Sequence, residues 1–260
     1  MIITFIGGLL QRGWEPKNLR AVEILPAARE KLEQTFHIET FSSASAQALQ
    51  ADCVVLAIKP QQMREAAVQL ASHIKDILVI TIAAGIRGID LARWLGGHQR
   101  IVRVMPNTPA LVLAGISGLY ATAGVSSEDR QRAESIMDAV GETVWVERED
   151  DIDAVTAVSG SGPAYVFYFI EALEQAARDV GMSADTARRL AIATFTGASQ
   201  LAAQSSENAA TLRARVTSKG GTTERALASM EADKIKTAIG RAVKAAAQRS
   251  RELGDELGRG

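Results

Sequence analysis

Two short stretches of hydroxyl-bearing residues and glycines could hold a small ligand. They are "SGSGPAY", Ser159 to Tyr165, and "TSKGGTT", Thr217 to Thr223. Glycines let backbone N–H groups approach a ligand, and each stretch leads into a helical pattern; at the second, the free N–H groups and the helix dipole favour an anion. A helix cap needs one hydroxyl, whereas the second stretch combines four hydroxyls with two glycines and a lysine. Because the second stretch lacks the spacing of a nucleotide loop, a small carboxylate is its better match.

The chemistry of these loops is limited by what they lack. They contain no histidine, no cysteine and no paired carboxylates, which disfavours hydrolytic triads and two-carboxylate hydrolysis. Such residues suit a reaction whose difficult step belongs to a cofactor, while the protein orients the substrate and donates hydrogen bonds. Hydride transfer fits this description.

A second group of candidates follows the predicted strands, where open α/β sheets bind ligands. After one strand comes "AIKPQ", in which the proline holds Lys59 extended near the sheet edge. Lys59 either faces a phosphate, a ribose or the substrate, or is an ordinary surface lysine. After the next strand, the small residues Ala83, Ala84 and Gly85 let a flat ring or a sugar approach the backbone.

The strand after that ends in "MPNTP", Met105 to Pro109. Two prolines stiffen this loop around one amide and one hydroxyl, so it is either a structural turn or a place of ligand contacts. We count Asn107 among the candidates for cofactor binding. Glu23, which ends an earlier strand, either accepts from a ribose hydroxyl or is a solvated acid.

The first apolar run, Ile2–Ile6, ends in Gly7-Gly8, as a strand before a phosphate loop would. The continuation is short, because Gly13 and Pro16 interrupt the residues that should form a crossover helix. A crossover with its helix normally takes at least about 10–12 residues. The chain can bridge this gap, but not with both a full helix and a phosphate loop.

The elements that position these loops divide the chain into an α/β part, residues 1–150, and an all-helical part, residues 151–260. In the first part, β-rich runs alternate with helical patterns, which predicts a Rossmann-like, doubly wound, mostly parallel sheet. The predicted strands are Ile2–Ile6, Leu19–Ile24, Val54–Ile58, Leu78–Ala83, Ile101–Met105, Ile116–Tyr120 and Thr143–Val146. The helical patterns between them include Pro26–Thr35, Gln61–Ile74 and Glu128–Val140.

The second part has no convincing strand after Ser161. Tyr165–Ile170 is apolar on all sides, which predicts a buried helix. Its small-residue faces suit close packing, including packing against a partner subunit. The further predicted helices are Ala184–Gln204, Glu207–Val216, Thr222–Glu231 and Lys234–Leu257.

Composition excludes several classes of function. The net charge of −1 over 260 residues argues against non-specific nucleic-acid binding. Cys53 is the only cysteine and lies in an apolar run, which favours a buried structural thiol, and the spacing of the three histidines predicts no metal site. No signal peptide or long apolar span is evident, so we expect a soluble cytoplasmic protein without a membrane partner.

Taken together, these motifs resemble those of the pyrroline-5-carboxylate reductase family. The resemblance rests on "AIKPQ", "IAAG", "RVMPNTPALV", "VSGSGPAYVF" and "VTSKGGTT", in matching order and spacing over nearly the whole chain. It implies reduction of 1-pyrroline-5-carboxylate to L-proline with NADPH or NADH, the last step of proline biosynthesis. It also implies a homodimer formed by the C-terminal helices, with dimers assembling into rings.

The resemblance assigns roles to individual residues. The cofactor-binding residues would be Gly7, Gly8, Ala57, Ile58, Lys59, Pro60, Ala83, Ala84 and Gly85, with Asn107 added from its loop. The substrate-binding residues would be Ser218, Lys219, Gly220, Gly221, Thr222 and Thr223. Backbone N–H groups would hold the substrate carboxylate, and Thr223, the one catalytic candidate, would hydrogen-bond the ring nitrogen.

The chain departs from the family pattern in two places. Lys219 stands where many members carry proline, and either helps bind substrate or points to solvent. The family pattern also continues Gly7-Gly8 with a glycine loop and the first turns of a helix. Either residues are missing between Gly8 and Leu9, or a real deletion weakens cofactor binding, or the chain is a non-catalytic substrate- or proline-binding homologue. A related imine or β-hydroxyacid reductase is a further alternative.

Overall fold

The structure, a computed structural model, describes residues 2–259. The helices are α1 Ile2–Gln11, α2 Pro26–Phe36, α3 Met63–Leu70, α4 Gly88–Trp94, α5 Ser127–Met137, α6 Asp151–Val155, α7 Gly162–Asp179, α8 Ala184–Gln204, α9 Ala209–Arg215, α10 Thr222–Ala232 and α11 Ile235–Gly258. The strands are β1 Arg20–Val22, β2 Glu39–Phe41, β3 Cys53–Leu56, β4 Leu78–Thr81, β5 Ile101–Met105, β6 Gly115–Ala121 and β7 Gly141–Trp145. These elements confirm an α/β part followed by a helical part.

The strands form two sheets. One contains β1 and β2 in parallel, and the other has the order β3-β4-β5-β6-β7, in which only the β5–β6 pair is antiparallel. All four residues of β4 are buried, as expected for a strand covered on both faces. One apolar cluster, including Ile80, Val102 and Met137, lies on one side of the larger sheet, and a second, including Val79, Leu91 and Ile101, lies on the other.

The prediction of a first strand at Ile2–Ile6 is wrong, because this segment is part of helix α1. Its apolar residues serve two neighbouring packing surfaces of a helix. Phe5 and Leu9 join the core of the larger sheet, whereas Ile6 packs with Ala21 and Leu32 beside the smaller sheet. Phe5 and Leu9 are four residues apart and therefore share one face of a helix. The same apolar run is also compatible with a buried strand, which is why the sequence alone favoured a strand.

As a consequence, the described residues contain no strand that joins the two sheets. β1 pairs only with β2, and β3 is the edge strand of the larger sheet. The short strand β2 has no separate sequence prediction, since Glu39–Phe41 lacks a long apolar run. Helix α1 also runs without a break through Gly8 and Leu9, and the Arg12 amide donates to the Gly8 carbonyl oxygen over 3.1 Å.

The chain divides into two compact units. The α/β unit contains the residues up to Ser161 and those from Ala245 onward, and the helical unit contains Gly162–Lys244. The last part of α11 therefore belongs to the α/β unit, although the sequence predicted a single boundary between residues 150 and 151. No helix within residues 2–259 has the length and hydropathy to cross a bilayer.

The helical unit confirms the predicted α-helical pattern but not the burial of its first helix. α7 contains no buried residue, and Phe167 and Tyr168 are 65% and 69% exposed. A helix that is apolar on all sides needs cover on all sides, and within its own unit α7 packs on α8. The predicted burial of this helix is therefore not met within one chain, and its burial against a partner subunit stays a prediction.

Candidate functional site

The ends of β3, β4 and β5 bring most of the predicted cofactor-binding residues to one edge of the larger sheet. These three strands are parallel, so their carboxyl ends lie side by side. The Ile82 amide donates to the Leu56 carbonyl oxygen over 3.3 Å, which ties the loop after β4 to the end of β3. This edge is where doubly wound sheets bind dinucleotides.

The loop after β3 presents Lys59 to solvent. Ala57 and Ile58 are half-buried, and Lys59 is exposed, with an extended backbone of φ −64° and ψ 141° before Pro60. Pro60 opens a 3-10 turn that leads into α3. The predicted geometry of this loop is therefore confirmed, whereas the choice between a ligand-binding and a surface lysine stays open.

The loop after β4 is tightly packed. Ala83 is 5% exposed, and its amide lies 3.4 Å from the Thr81 hydroxyl. Gly85 has φ +74°, a conformation that glycine adopts without the strain of a side chain. Ala83 and Gly85 are buried and Ala84 is half-buried, and a Cβ atom on Gly85 would lie 2.9 Å from Leu257 Cδ1, so cofactor contact by this loop stays a prediction.

The loop after β5 is fixed by Asn107. Its side-chain oxygen accepts from the Ile116 amide over 2.9 Å, and its carbonyl oxygen accepts from the Ala110 amide over 3.1 Å. Asn107 is 9% exposed, so its amide oxygen holds the loop against β6. The structural role considered for this loop is confirmed, and ligand contact by Asn107 stays a prediction.

A small cavity of about 130 Å³ opens between these loops and the first turn of α1. It is lined by Thr4, Phe5, Ile82, Pro106, Asn107, Thr108, Ala110, Leu111 and Val140. Its lining is mostly apolar, with one amide and two threonines, and its volume is below the range of about 300–1,000 Å³ typical of whole-ligand pockets. It has room for one flat ring rather than for a dinucleotide.

Gly7 and Gly8 do not form a phosphate loop. Both lie inside α1, and a Cβ atom on Gly8 would overlap the Ala139 carbonyl oxygen. Gly8 is thus needed for close packing of α1 against the turn before β7. The predicted strand and loop around Gly7 and Gly8 are wrong, because both residues lie within a helix that begins at Ile2, and their contact with the cofactor stays a prediction.

The stretch "SGSGPAY" is helical rather than a loop. Thr156–Gly160 forms a π-helical segment, and α7 begins at Gly162. The Ser159 hydroxyl donates to the Val155 carbonyl oxygen over 3.0 Å, and a Cβ atom on Gly160 would come within 2.5 Å of the Met105 methyl group. This segment therefore packs against the end of β5, and π-helical turns are frequent at functional sites.

The stretch "TSKGGTT" forms the turn between α9 and α10 in the helical unit. Gly220 has φ +75°, and the Gly221 amide donates to the Ser218 carbonyl oxygen over 3.1 Å. Thr222 begins α10, and no side chain caps this helix. Thr223 is half-buried, whereas Ser218, Lys219 and Thr222 are exposed.

A carboxylate already occupies part of this turn. The Gly220 amide donates to Glu224 Oε2 over 2.8 Å. The predicted substrate carboxylate would therefore compete with the Glu224 carboxylate for the Gly220 amide. Sequence reasoning missed Glu224, although an acid in the first turn of a helix is a recognisable signal.

Cys53, the first residue of β3, is half-buried and packs against the apolar cluster that contains Ile80. Burial raises the pKa of Cys53 to about 12, and the positive charge of Arg132 opposes this increase only in part. A thiol with such a pKa carries almost no thiolate near neutral pH, which favours the structural interpretation. Within residues 2–259, no group of three or more His, Cys, Asp or Glu side chains could hold a metal ion.

Comparison with known proteins places this geometry in a family. A family profile described as pyrroline-5-carboxylate reductase dimerisation matches residues 149–253, and one described as NADP oxidoreductase, coenzyme F420-dependent, matches residues 1–85. The pyrroline-5-carboxylate reductase of Pseudomonas aeruginosa is 43% identical over 259 residues, covering 99% of this chain and 95% of that protein. The chain belongs to the pyrroline-5-carboxylate reductase family.

Solved structures agree with this assignment. A pyrroline-5-carboxylate reductase from Coxiella burnetii is 37% identical and superposes with a TM-score of 0.93 over 97% of this chain and 94% of that chain. A pyrroline carboxylate reductase from Plasmodium falciparum with NADP bound is 28% identical, with a TM-score of 0.83 over 97% and 94% of the two chains. The high superposition extends over nearly the full length of each chain.

The cofactor expected of the family fits one part of this site better than the other. The loops after β3, β4 and β5 and the ring-sized cavity suit a nicotinamide ring and its ribose. For the pyrophosphate, a doubly wound domain normally supplies a glycine-rich turn at a helix N-terminus. Here α1 supplies the helix N-terminus with Ile2, Ile3 and Thr4, and no glycine turn precedes it among the described residues.

Proposed function

We propose that this chain reduces 1-pyrroline-5-carboxylate to L-proline with NADPH or NADH, the last step of proline biosynthesis. The observation that carries the proposal is family membership at 43% identity over 99% of the chain. The strand-end loops Ala57–Pro60 and Ala83–Gly85 support it, because they keep small residues and one lysine at the edge where a dinucleotide binds.

The turn Thr217–Thr223 is the proposed substrate site. The free N–H groups at the start of α10 and the positive end of its dipole favour the substrate carboxylate. The carboxylate would displace Glu224 from the Gly220 amide, since one N–H group cannot serve both anions at full strength. Ser218, Lys219, Gly221 and Thr222 form the rest of the turn.

Thr223 is the proposed catalytic residue. The cofactor, when bound, supplies a hydride to the imine carbon, and the ring nitrogen must then carry a proton. The Thr223 hydroxyl can hydrogen-bond this nitrogen and fix the orientation of the ring without acting as a strong acid. Its half-buried position on the first turn of α10 limits the directions in which the hydroxyl can point.

Assembly is part of the proposal. The exposed apolar side chains of α7 and α8 match a homodimer interface formed by the C-terminal helices, and the matching family profile is described as a dimerisation region. Assembly of dimers into a ring and a cytoplasmic location remain predictions.

A second candidate is a non-catalytic homologue that binds the substrate or proline. The observation that favours it is the continuous helix α1, which leaves no glycine turn for the pyrophosphate. Such a protein would keep the turn Thr217–Thr223 and bind dinucleotides weakly. The alternative of another imine or β-hydroxyacid reductase has no comparable support.

Two titrations separate these candidates. NADPH and NADH are titrated against the protein by the change in nicotinamide fluorescence, and reduction of 1-pyrroline-5-carboxylate is followed by loss of absorbance of the reduced cofactor. Saturable binding and turnover support the reductase. Binding of L-proline in calorimetry without binding of either dinucleotide would establish the non-catalytic homologue instead.

Thr223→Ala tests the catalytic role within an active protein. Loss of one hydrogen bond to the reacting ring should lower kcat/KM about tenfold to hundredfold. Thr194→Ala, which changes an exposed threonine of α8, is the matched control and should leave kcat/KM within about twofold. Equal kinetics in the wild type and Thr223→Ala would remove this role.

A further inference from the structure

The C-terminal end of α11 is anchored on the α/β unit by a buried polar contact. The Ser250 hydroxyl donates to Asp153 Oδ1 over 2.5 Å, and the two residues are 5% and 8% exposed. Ser250 and Gly254 are the buried residues of α11. A short, buried hydrogen bond to a carboxylate fixes the position of the helix along its axis, because a shift of one residue would leave the acid unpaired.

One turn later, α11 holds Arg87, which follows the loop after β4. Arg87 Nη2 donates to Asp255 Oδ1 over 2.6 Å and lies 3.3 Å from the Arg251 carbonyl oxygen. Gly254 makes this approach possible, because a Cβ atom there would lie 3.0 Å from Arg87 Nε. The guanidinium is thus held by the helix from two sides.

The same face of α11 also packs against the loop itself. A Cβ atom on Gly85 would lie 2.9 Å from Leu257 Cδ1 and 3.4 Å from Leu253 Cβ. Because Gly85 has φ +74° and no side chain, the helix can lie directly on the backbone of the loop. Leu257 also packs against the apolar cluster that contains Ala83 and Ile86.

The far end of this segment has an independent anchor. The Gly88 amide donates to Glu149 Oε1 over 2.6 Å, and Glu149 pairs with Arg103 of β5, which is 4% exposed. The start of α4 thus keeps an anchor on β5 in addition to its contacts with α11, where Arg93 Nη2 donates to the Gly258 carbonyl oxygen over 2.7 Å. Removal of the α11 contacts should loosen the loop between β4 and α4 without unfolding the sheet.

We infer that the C-terminal end of α11 is a brace that positions Ala83–Gly85 for the nicotinamide cofactor, with Asp255 and Leu257 as positioning residues. The inference rests on the proposed function, because it assigns the loop to the cofactor. It goes beyond that function by making the end of the last helix a determinant of cofactor affinity. Asp255 and Leu257 act through Arg87 and Gly85 and touch neither cofactor nor substrate in this role.

The test compares Asp255→Ala and Leu257→Ala with Glu256→Ala. Glu256 is the matched control, since it lies between the two positions but pairs with Arg249 on the same helix over 2.6 Å. Amide hydrogen exchange of residues 84–87, the dissociation constant for NADPH, and the separate KM and kcat values are measured for each variant. Asp255→Glu serves as the conservative variant.

Both brace variants should speed exchange of these amides and raise the NADPH dissociation constant. The expected factor is about threefold to fivefold for Asp255→Ala, as for a partly exposed ion pair, and about tenfold for Leu257→Ala. KM for NADPH should rise while kcat at saturating NADPH stays within about twofold. Glu256→Ala should match the wild type, and Asp255→Glu should recover most of the loss.

Unchanged exchange in both brace variants would overturn the inference, as would faster exchange with an unchanged NADPH dissociation constant. If the wild type binds no dinucleotide, the proposed function fails and the assignment of the loop to the cofactor fails with it. Exchange then still decides whether the brace itself exists, so the two failures are distinguishable.

Discussion

The α/β unit and the helical unit differ in where their apolar side chains lie. Among the described residues, nearly all buried apolar side chains belong to the α/β unit, and only Ala187 and Ala191 belong to Gly162–Lys244. The helical unit exposes large apolar side chains on several helices, whereas the α/β unit exposes others, such as Ile24 and Val112, beside a buried core. Those of the helical unit include Val166, Phe167, Tyr168, Leu173, Leu190, Ile192, Leu201 and Met230.

This difference shows that the α/β unit buries an apolar core within itself and that the helical unit does not. An isolated chain rarely exposes so many large apolar residues over one region, and such surfaces mark association. The α/β unit also pairs its buried charges, as Arg103–Glu149 and Arg100–Asp129 show. The proposed dimer supplies what the helical unit lacks, namely a second apolar surface.

The largest expected effect is on association. In Phe167→Asp, a side chain that is 65% exposed in the chain becomes a carboxylate on the proposed interface. Burial of a phenylalanine contributes about 2–3 kcal/mol, and a symmetric dimer contains two copies, so the dimer dissociation constant should rise about 10³- to 10⁴-fold. Sedimentation equilibrium over a dilution series measures this constant.

Val68→Asp is the matched control for association. Val68 is 57% exposed on α3, a helix of the unit that closes its own core. Its substitution should leave the association constant unchanged. If both variants dissociate alike, or if neither does, the contrast between the two units is wrong.

The next effect concerns the charges of the α/β unit. Asp129 is 2% exposed and accepts from Arg100 Nη2 over 2.8 Å, and this hydrogen bond holds the pKa of the carboxyl below its ordinary value. The Ser126 amide adds a second bond over 3.2 Å as part of the cap of α5. Asp129→Asn should cost about 2 kcal/mol of unfolding free energy at neutral pH, the typical loss of a hydrogen bond to a charged group.

The sign of the pH dependence follows from the lowered pKa. The stabilisation is complete above the unfolded value of about 3.9 and is lost as the pH falls through the folded value. The difference in unfolding temperature between the wild type and Asp129→Asn should therefore narrow as the pH falls below about 4. Glu128→Gln, at a neighbouring residue whose side chain is 79% exposed, should show little difference at any pH. A constant difference for Asp129→Asn as the pH falls would contradict the assignment.

Much of the fold could be predicted because its patterns are local. Strand β5 and helix α8 match their predicted bounds, since an apolar run between turns and an alanine-rich helix with a serine cap are strong signals. The loops after β3, β4 and β5 follow from the strands that precede them. Contacts between distant residues, such as Arg87–Asp255, have no local signal and could not be predicted.

The opening segment was mispredicted because its composition suits two structures. A run such as Ile2–Ile6 before two glycines matches a strand and a phosphate loop, and the pattern does not show which neighbours are available to pair. In the structure, α1 instead packs on the apolar cluster that contains Ile80 through Phe5 and Leu9, and on the smaller sheet through Ile6. Periodicity of a short apolar run cannot decide between a buried helix and a strand.

The smallest expected effect tests this segment directly with two adjacent glycines. A Cβ atom on Gly7 would lie 3.6 Å from the Phe36 ring, an ordinary contact, whereas on Gly8 it would overlap the Ala139 carbonyl oxygen. Inside a helix, Gly7→Ala should stabilise the protein by about 0.5–1 kcal/mol, because alanine loses less backbone entropy than glycine. Gly8→Ala should destabilise it by about 1–3 kcal/mol through overpacking. Urea unfolding measures both values.

If Gly7-Gly8 were a phosphate loop after a strand, both substitutions would instead weaken NADPH binding and Gly7→Ala would not raise stability. Opposite signs for the two neighbours are therefore the result that only the helix explains.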